Sequence, residues 1–162
     1  MILNILTYIH VALVLIAIGS GAIVLFGLLI GYLLDKWAVL ILRCSLAASV
    51  TGLVFPFHHL LPTHGVSMLS VYVSGAVILA WRKHHLSGIW RSIFAMTTTV
   101  VLYLNVVVAV TLIFKHMSSF RALAPPQSEP TFLVTQFLVM VVFVVLGIRA
   151  VKGFHDKQTH SF

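Results

Sequence analysis

No Lys, Arg, Asp or Glu occurs in residues 1–34, which read MILNILTYIHVALVLIAIGSGAIVLFGLLIGYLL. A helix needs about 20 apolar residues to cross a bilayer, whereas the apolar region of a secretion signal has roughly 7–15. The whole chain is 60% hydrophobic and only 8% charged, against about 25% charged residues in soluble domains. This stretch therefore predicts a membrane-spanning helix that stops at the charged pair Asp35-Lys36.

Four more apolar runs follow along the 162 residues. They extend from Trp37 to between His58 and Pro62, from His64 to Trp81, from Arg91 to His116, and from after Pro130 to near Arg149. In lipid the backbone satisfies its hydrogen bonds only as helices or closed barrels, and these runs are too long and too continuously apolar for barrel strands. The sequence predicts an all-α integral membrane bundle of about five transmembrane helices, forming a single domain over residues 1–162.

The positive charge is distributed in a way that indicates a membrane protein. The formal net charge is +7, but the ten Lys and Arg residues lie at helix ends and form no basic stripe of the kind that binds nucleic acid. Cytoplasmic loops of membrane proteins carry an excess of Lys and Arg. One side of the predicted bundle holds Lys36, Arg82, Lys83, Arg91, Arg149, Lys152 and Lys157, and the other holds only Lys115 and Arg121. The tenth, Arg43, lies about six residues into the second span, and we expect its side chain to extend back to the first side. We therefore expect the N-terminus outside and the C-terminus in the cytoplasm.

Small residues four apart indicate close helix packing. Gly27 and Gly31 form a GxxxG pair, and related pairs are Ala17 with Gly21, Ala48 with Gly52, and Ser70 with Ser74. Such pairs let helix backbones approach closely in a membrane. We expect them to pack helices within the bundle, and the same faces are candidates for a homo-oligomer contact.

Polar residues fall into one layer when depth is counted from the predicted cytoplasmic end of each span at 1.5 Å per residue. The layer lies at the external mouth of the bundle and contains His10, His58, His59, His64, His116 and Glu129. Two amides, Asn105 and Gln136, lie one or two turns deeper. Polar side chains at membrane depth are costly and usually face the bundle interior or water.

This layer predicts a cofactor site, because imidazole is a common ligand of haem iron and of transition metals. We expect haem b or a transition-metal ion, held by His10, His58 and His64, with His10 and either of the other two as the ligand pair of a haem. Asn105 and Gln136 are candidate supporting donors. The alternative interpretation is that the histidines only wet the interface, that the amides join helices, and that Glu129 favours the start of the fifth helix.

Three function classes fit these residues. The first is a small haem or metal protein for electron transfer, with a quinone or a redox protein as partner. The second is a transporter or sensor of metal ions or protons, although few polar residues lie in the cytoplasmic half apart from Ser49, Thr97, Thr98 and Thr99. The third is a cofactor-free accessory subunit of a membrane complex. No HExxH, GxSxG or phosphate-binding glycine loop occurs, and with three acidic residues the sequence identifies no catalytic group.

Three segments carry a resemblance to known proteins. They are TGLVFPFHHLLPTH at 51–64, LYLN at 102–105 and ALAPPQSEP at 122–130. They resemble an uncharacterised family of small, multi-pass bacterial membrane proteins, which implies the bacterial inner membrane and no particular activity. The overall architecture is also similar to that of small b-type cytochromes of the membrane, but no motif matches, so that similarity assigns no haem ligand.

Overall fold

The computed structural model describes residues 2–54, 62–82, 86, 88–116 and 130–156. Within these residues the protein is helical, with no strand, which confirms the all-α prediction. The five helices are α1 (Ile2–Leu29), α2 (Asp35–Val54), α3 (Pro62–Arg82), α4 (Ile89–His116) and α5 (Pro130–Asp156).

The helices have the length and composition of membrane spans. Four of them contain segments long and apolar enough to cross a bilayer, namely Ile5–Leu29, Asp35–Leu53, Ile89–Phe114 and Pro130–Phe154. The backbone of α3 has 21 residues, a length of about 31 Å, and its described segment Gly65–Leu79 is apolar. A multi-pass membrane protein is compatible with this set of helices.

The first helix ends earlier than the apolar sequence predicted. Gly31 has a φ of 81°, a left-handed conformation that glycine adopts without steric cost. The Tyr32 N–H donates to the Gly27 carbonyl at 2.8 Å, and the Gly31 N–H donates to the Leu28 carbonyl at 3.2 Å. This pair of hydrogen bonds is the Schellman motif that closes helix C-termini. The prediction that Gly27 and Gly31 form a helix-packing pair is therefore wrong, because Gly31 lies beyond α1 and terminates it.

The other helix ends follow local chemistry. Asp35 opens α2, where a carboxylate is favoured by the helix dipole. Pro62 and Pro130 open α3 and α5, because proline has no N–H to leave unbonded at a first helical position. At its other end α5 reaches Asp156, about two turns past the predicted end near Arg149.

Helices α1 to α4 form a ring around the apolar core. Each packs against the next, α4 packs back against α1, and α2 and α4 meet only slightly across the centre. Helix α5 lies outside the ring, against α4 and α1. Only 6% of its most apolar window is buried, compared with 39–44% for α1, α2 and α4. The ring is thus the structural centre of the protein, and α5 is a peripheral helix.

Small residues set the helix spacing at several contacts. A Cβ on Gly21 would lie 2.6 Å from the side chains of Ile41 and Leu102, so this glycine lets α1 fit between α2 and α4. A Cβ on Gly153 would overlap the Leu29 carbonyl, so α5 touches the backbone of α1 near its end. The remaining predicted pairs are confirmed as packing positions, since their non-glycine members Ala17, Ala48, Ser70 and Ser74 are all buried.

Candidate functional site

His10 lies on α1, and its ring is held in a fixed orientation by a residue of α2. Its Nδ1 lies 2.9 Å from Thr51 Oγ1, and the Thr51 hydroxyl itself donates to the Ala48 carbonyl at 2.9 Å. Since that donation uses the only hydroxyl hydrogen, Thr51 accepts the N–H of His10 Nδ1. A hydrogen bond at one ring nitrogen fixes the tautomer and orientation of a histidine, as is usual for metal ligands.

The His10 site is a cavity where α1, α2, α3 and α4 meet. Its volume is about 20 Å³, room for about one water molecule. The lining contains five polar and five apolar residues. The residues are His10, Val14, Ala48, Ser49, Val66, Ser67, Ser70, Leu104, Asn105 and Val108. An occupant of atomic size would therefore be surrounded by an imidazole, three hydroxyls and an amide.

Gly52 leaves room for two polar residues of this lining, His10 and Ser67. A Cβ at Gly52 would lie 2.7 Å from Ser67 Oγ and 3.4 Å from His10 Cε1. Only glycine therefore lets the His10 ring and the Ser67 hydroxyl both reach the surface of α2. From the sequence, Gly52 is predicted only as a member of a packing pair, and Thr51 and Ser67 are not predicted as site residues. The signal that could have pointed to these two residues is their position in the sequence, since Thr51 begins the 51–64 segment and Ser67 follows it by three residues.

Asn105 is the polar centre of the bundle. Its side chain is 5% exposed, and its Nδ2 donates to Ser45 Oγ and to the Val101 carbonyl, both at 2.8 Å. The expectation that Asn105 faces the bundle interior is confirmed. The contact with Ser45 joins α4 to α2 directly beneath the His10 cavity.

Gln136 does not line this cavity. It is half-buried on α5, and its Nε2 donates to the Val107 carbonyl of α4 at 3.4 Å. Its Oε1 is buried with no hydrogen-bond partner among the described residues. Gln136 thus faces α4 rather than lipid, as expected, but it joins the peripheral helix to the ring.

A set of buried hydroxyl residues, here called the seam, lies nearer the basic end of the bundle than the His10 cavity: Ser45 beneath Asn105, Ser74 one turn beyond Ser70 on α3, and Thr98 two turns before Asn105 on α4. The hydroxyl oxygens of Ser74 and Thr98 have no partner in the described part of the chain. The seam then meets an apolar plug, in which Val77 and Phe94 are fully buried. Phe94 lies between Trp81 and Phe154, and its ring centroid is 6.3 Å from the ring centroid of each. Among the described residues the polar seam is therefore closed at this end.

Several predicted site residues cannot be placed. His58, His59 and Glu129 lie outside the described residues, as do the side chains of His64 and His116, whose backbones belong to α3 and α4. Among the described side chains no three His, Cys, Asp or Glu residues cluster. The convergence of His10 with His58 and His64 stays a prediction.

Comparisons with family models, with curated proteins and with solved structures gave no match. The assignment of a function depends on the residues of this chain.

Proposed function

We propose that this chain is a multi-pass protein of the bacterial inner membrane that binds one transition-metal ion on the external side. His10 is the central ligand, and His58, which follows α2 in the sequence, and His64 of α3 supply further imidazoles. The observation that carries the proposal is the orientation of the His10 ring by Thr51 at the rim of a polar cavity inside the bundle. An ionisable residue at this depth is typically functional.

The size of the cavity favours an ion over a haem. A space of about 20 Å³ accepts an atom-sized ligand, whereas sites for larger organic ligands begin at about 300 Å³. Two clefts of about 310 Å³ exist beside α5, but their linings contain no histidine. Haem binding by His10 would require the ring of four helices to open.

The closed polar seam favours binding over transport. An ion at His10 would reach Asn105 and the hydroxyls below it but would then meet Phe94 and Val77. A charge inside hydrocarbon costs several kcal/mol in the absence of polar partners. The site thus suits a metal sensor or, with a redox-active ion such as copper or iron, an electron carrier that exchanges with a quinone or a redox protein.

The experiment is metal analysis and an absorption spectrum of the detergent-purified protein. We expect close to one transition-metal ion per chain, with no Soret band, and loss of the ion in His10→Ala. Thr51→Val should lower metal affinity by roughly 10- to 100-fold, because it removes the partner that orients the ring. The matched control is Thr135→Val on α5, whose hydroxyl donates to the Thr131 carbonyl far from His10.

Three outcomes would reject this proposal. A colourless protein that takes up no added zinc or copper has no metal site. Full metal content in His10→Ala would place the site elsewhere. A Soret band would assign an iron porphyrin instead.

A second candidate is a cofactor-free accessory subunit of a larger membrane complex. It is favoured by the exposure of α5, which leaves side chains such as Phe137, Leu138 and Val142 more than half exposed. This candidate predicts a metal-free protein that co-purifies with partner subunits under mild detergent. Phe137→Ser should then lose those partners, whereas the control Leu15→Ser on α1 should keep them.

A further inference from the structure

An apolar cleft separates the outer surfaces of α4 and α5. Its volume is about 310 Å³, near the lower limit for pockets that hold small organic molecules. Its lining includes Met96, Thr99 and Tyr103 of α4 and Phe143, Gly147 and Ile148 of α5. All of these residues lie within the segments that are long and apolar enough to span a membrane.

Gly147 of α5 faces Thr99 of α4 in the lining of the cleft. A Cβ at Gly147 would lie 3.6 Å from Thr99 Cγ2, and the Thr99 hydroxyl donates to the Ala95 carbonyl at 2.8 Å. The hydroxyl is thus satisfied within its own helix, and the methyl group forms the floor. The rings of Tyr103 and Phe143, with centroids 5.7 Å apart, close one end. The floor offers no hydrogen bond, so it suits a flexible hydrocarbon chain.

Beyond Ile148, at the end of the cleft away from Tyr103, α5 carries two exposed cations. Lys152 follows Ile148 by four residues on α5, so it lies on the same helix face about 6 Å further along the axis. Lys152 is exposed, and Arg149 is exposed on the same turn. A basic residue at the end of a membrane span attracts anionic lipid headgroups.

We propose that the α4–α5 cleft binds an anionic phospholipid, with one acyl chain along Gly147 and Thr99 and the phosphate at Lys152. Charge complementarity selects this occupant, because a hydrocarbon-only ligand or a second apolar helix would make no use of Lys152. The proposal is independent of the ligand at His10.

The test is native mass spectrometry of the detergent-purified protein with added phosphatidylglycerol or phosphatidylcholine of identical acyl chains. The wild-type protein should retain one phosphatidylglycerol more strongly than phosphatidylcholine. Lys152→Gln should lower phosphatidylglycerol retention by about fivefold and leave phosphatidylcholine unchanged. Its matched control is Lys36→Gln, an exposed cation at the start of α2.

The cleft itself is tested by filling it. Gly147→Phe should abolish retention of both lipids, whereas Gly75→Phe should not, because a Cβ at Gly75 meets nothing within 4 Å. If Gly147→Phe does not fold, Val144→Trp fills the cleft from a position that is 55% exposed. Unchanged lipid retention in the filled variants would overturn the proposal. So would a lipid-free dimer that these substitutions convert to monomer, since a second copy would then occupy the cleft.

Discussion

At the scale of single residues, Asn105 shows how a buried amide can join two helices at the edge of a candidate site. It donates to Ser45 across the bundle and to the Val101 carbonyl within α4, and it borders the His10 cavity. In water such an amide would gain little from these bonds. In lipid the alternative partner is missing, so the pairing of Asn105 with Ser45 selects one rotational setting of α4 against α2.

The first prediction is a modest energetic coupling between these two residues. Interhelical hydrogen bonds in membrane proteins contribute about 0.6 kcal/mol on average. We expect Asn105→Leu and Ser45→Ala to destabilise the protein non-additively, with a coupling energy of about that size in a double-mutant cycle. Unfolding in mixed micelles measures it. Strict additivity would show that the 2.8 Å contact does not stabilise the fold.

The sequence located part of this site because depth along a helix can be counted. Counting residues placed His10 and Asn105 within two turns of each other, and both line one cavity. It could not select Thr51 or Ser67, since serine and threonine are common in membrane helices and a count of depth does not show that Gly52 leaves room for Ser67 beside His10. It also grouped Gln136 with Asn105, because depth does not tell which neighbour a helix faces.

At the scale of helices, several close contacts hold the C-terminal end of α5 against α1 and α4. Gly153 packs on the Leu29 carbonyl, and the Arg91 Nη2 donates to the Phe154 carbonyl at 3.0 Å. The Arg91 guanidinium also lies 4.2 Å from the centroid of the Phe154 ring. The Phe154 carbonyl is among the last four of α5, which have no partner within the helix, so Arg91 caps this helix.

The second prediction follows from the tight fit at Gly153. Gly153→Leu should destabilise the protein by about 1–3 kcal/mol or more, because the added side chain must displace backbone atoms of α1. Gly75→Leu is the control. It faces open space, and leucine favours helices over glycine by nearly 1 kcal/mol, so we expect no loss. Thermal unfolding in detergent measures both, and equal melting temperatures would show that α5 does not rest on α1.

Helix boundaries were the least predictable feature at this scale. Apolar composition extended the first span to Leu34, but the left-handed Gly31 ends α1 at Leu29. Conversely, Arg149 suggested an end for α5 that the helix passes, because the exposed side chain can extend to the interface while the backbone continues. Local capping and side-chain reach, rather than hydrophobicity, decide these ends.

At the scale of the molecule, the sequence predicts five crossings, which would place the two termini on opposite sides of the membrane, with the side rich in Lys and Arg in the cytoplasm. The third prediction is that green fluorescent protein fused after Phe162 fluoresces, whereas alkaline phosphatase at the same position is inactive. Both reporters should give the opposite result when inserted between α4 and α5, within residues 117–129. Phosphatase activity at the C-terminal fusion would contradict the proposed orientation.

The contact between Gly153 and Leu29 also has a consequence for biosynthesis. Roughly 120 residues separate the two positions, and chains are synthesised at about 5–20 residues per second. The ring of α1 to α4 can close as soon as α4 has entered the bilayer, but the outer surface of α1 must then wait several seconds for the helix that covers it. A ribosome that stalls within the last helix would leave a complete ring with one unprotected flank, a natural target for membrane quality-control proteases.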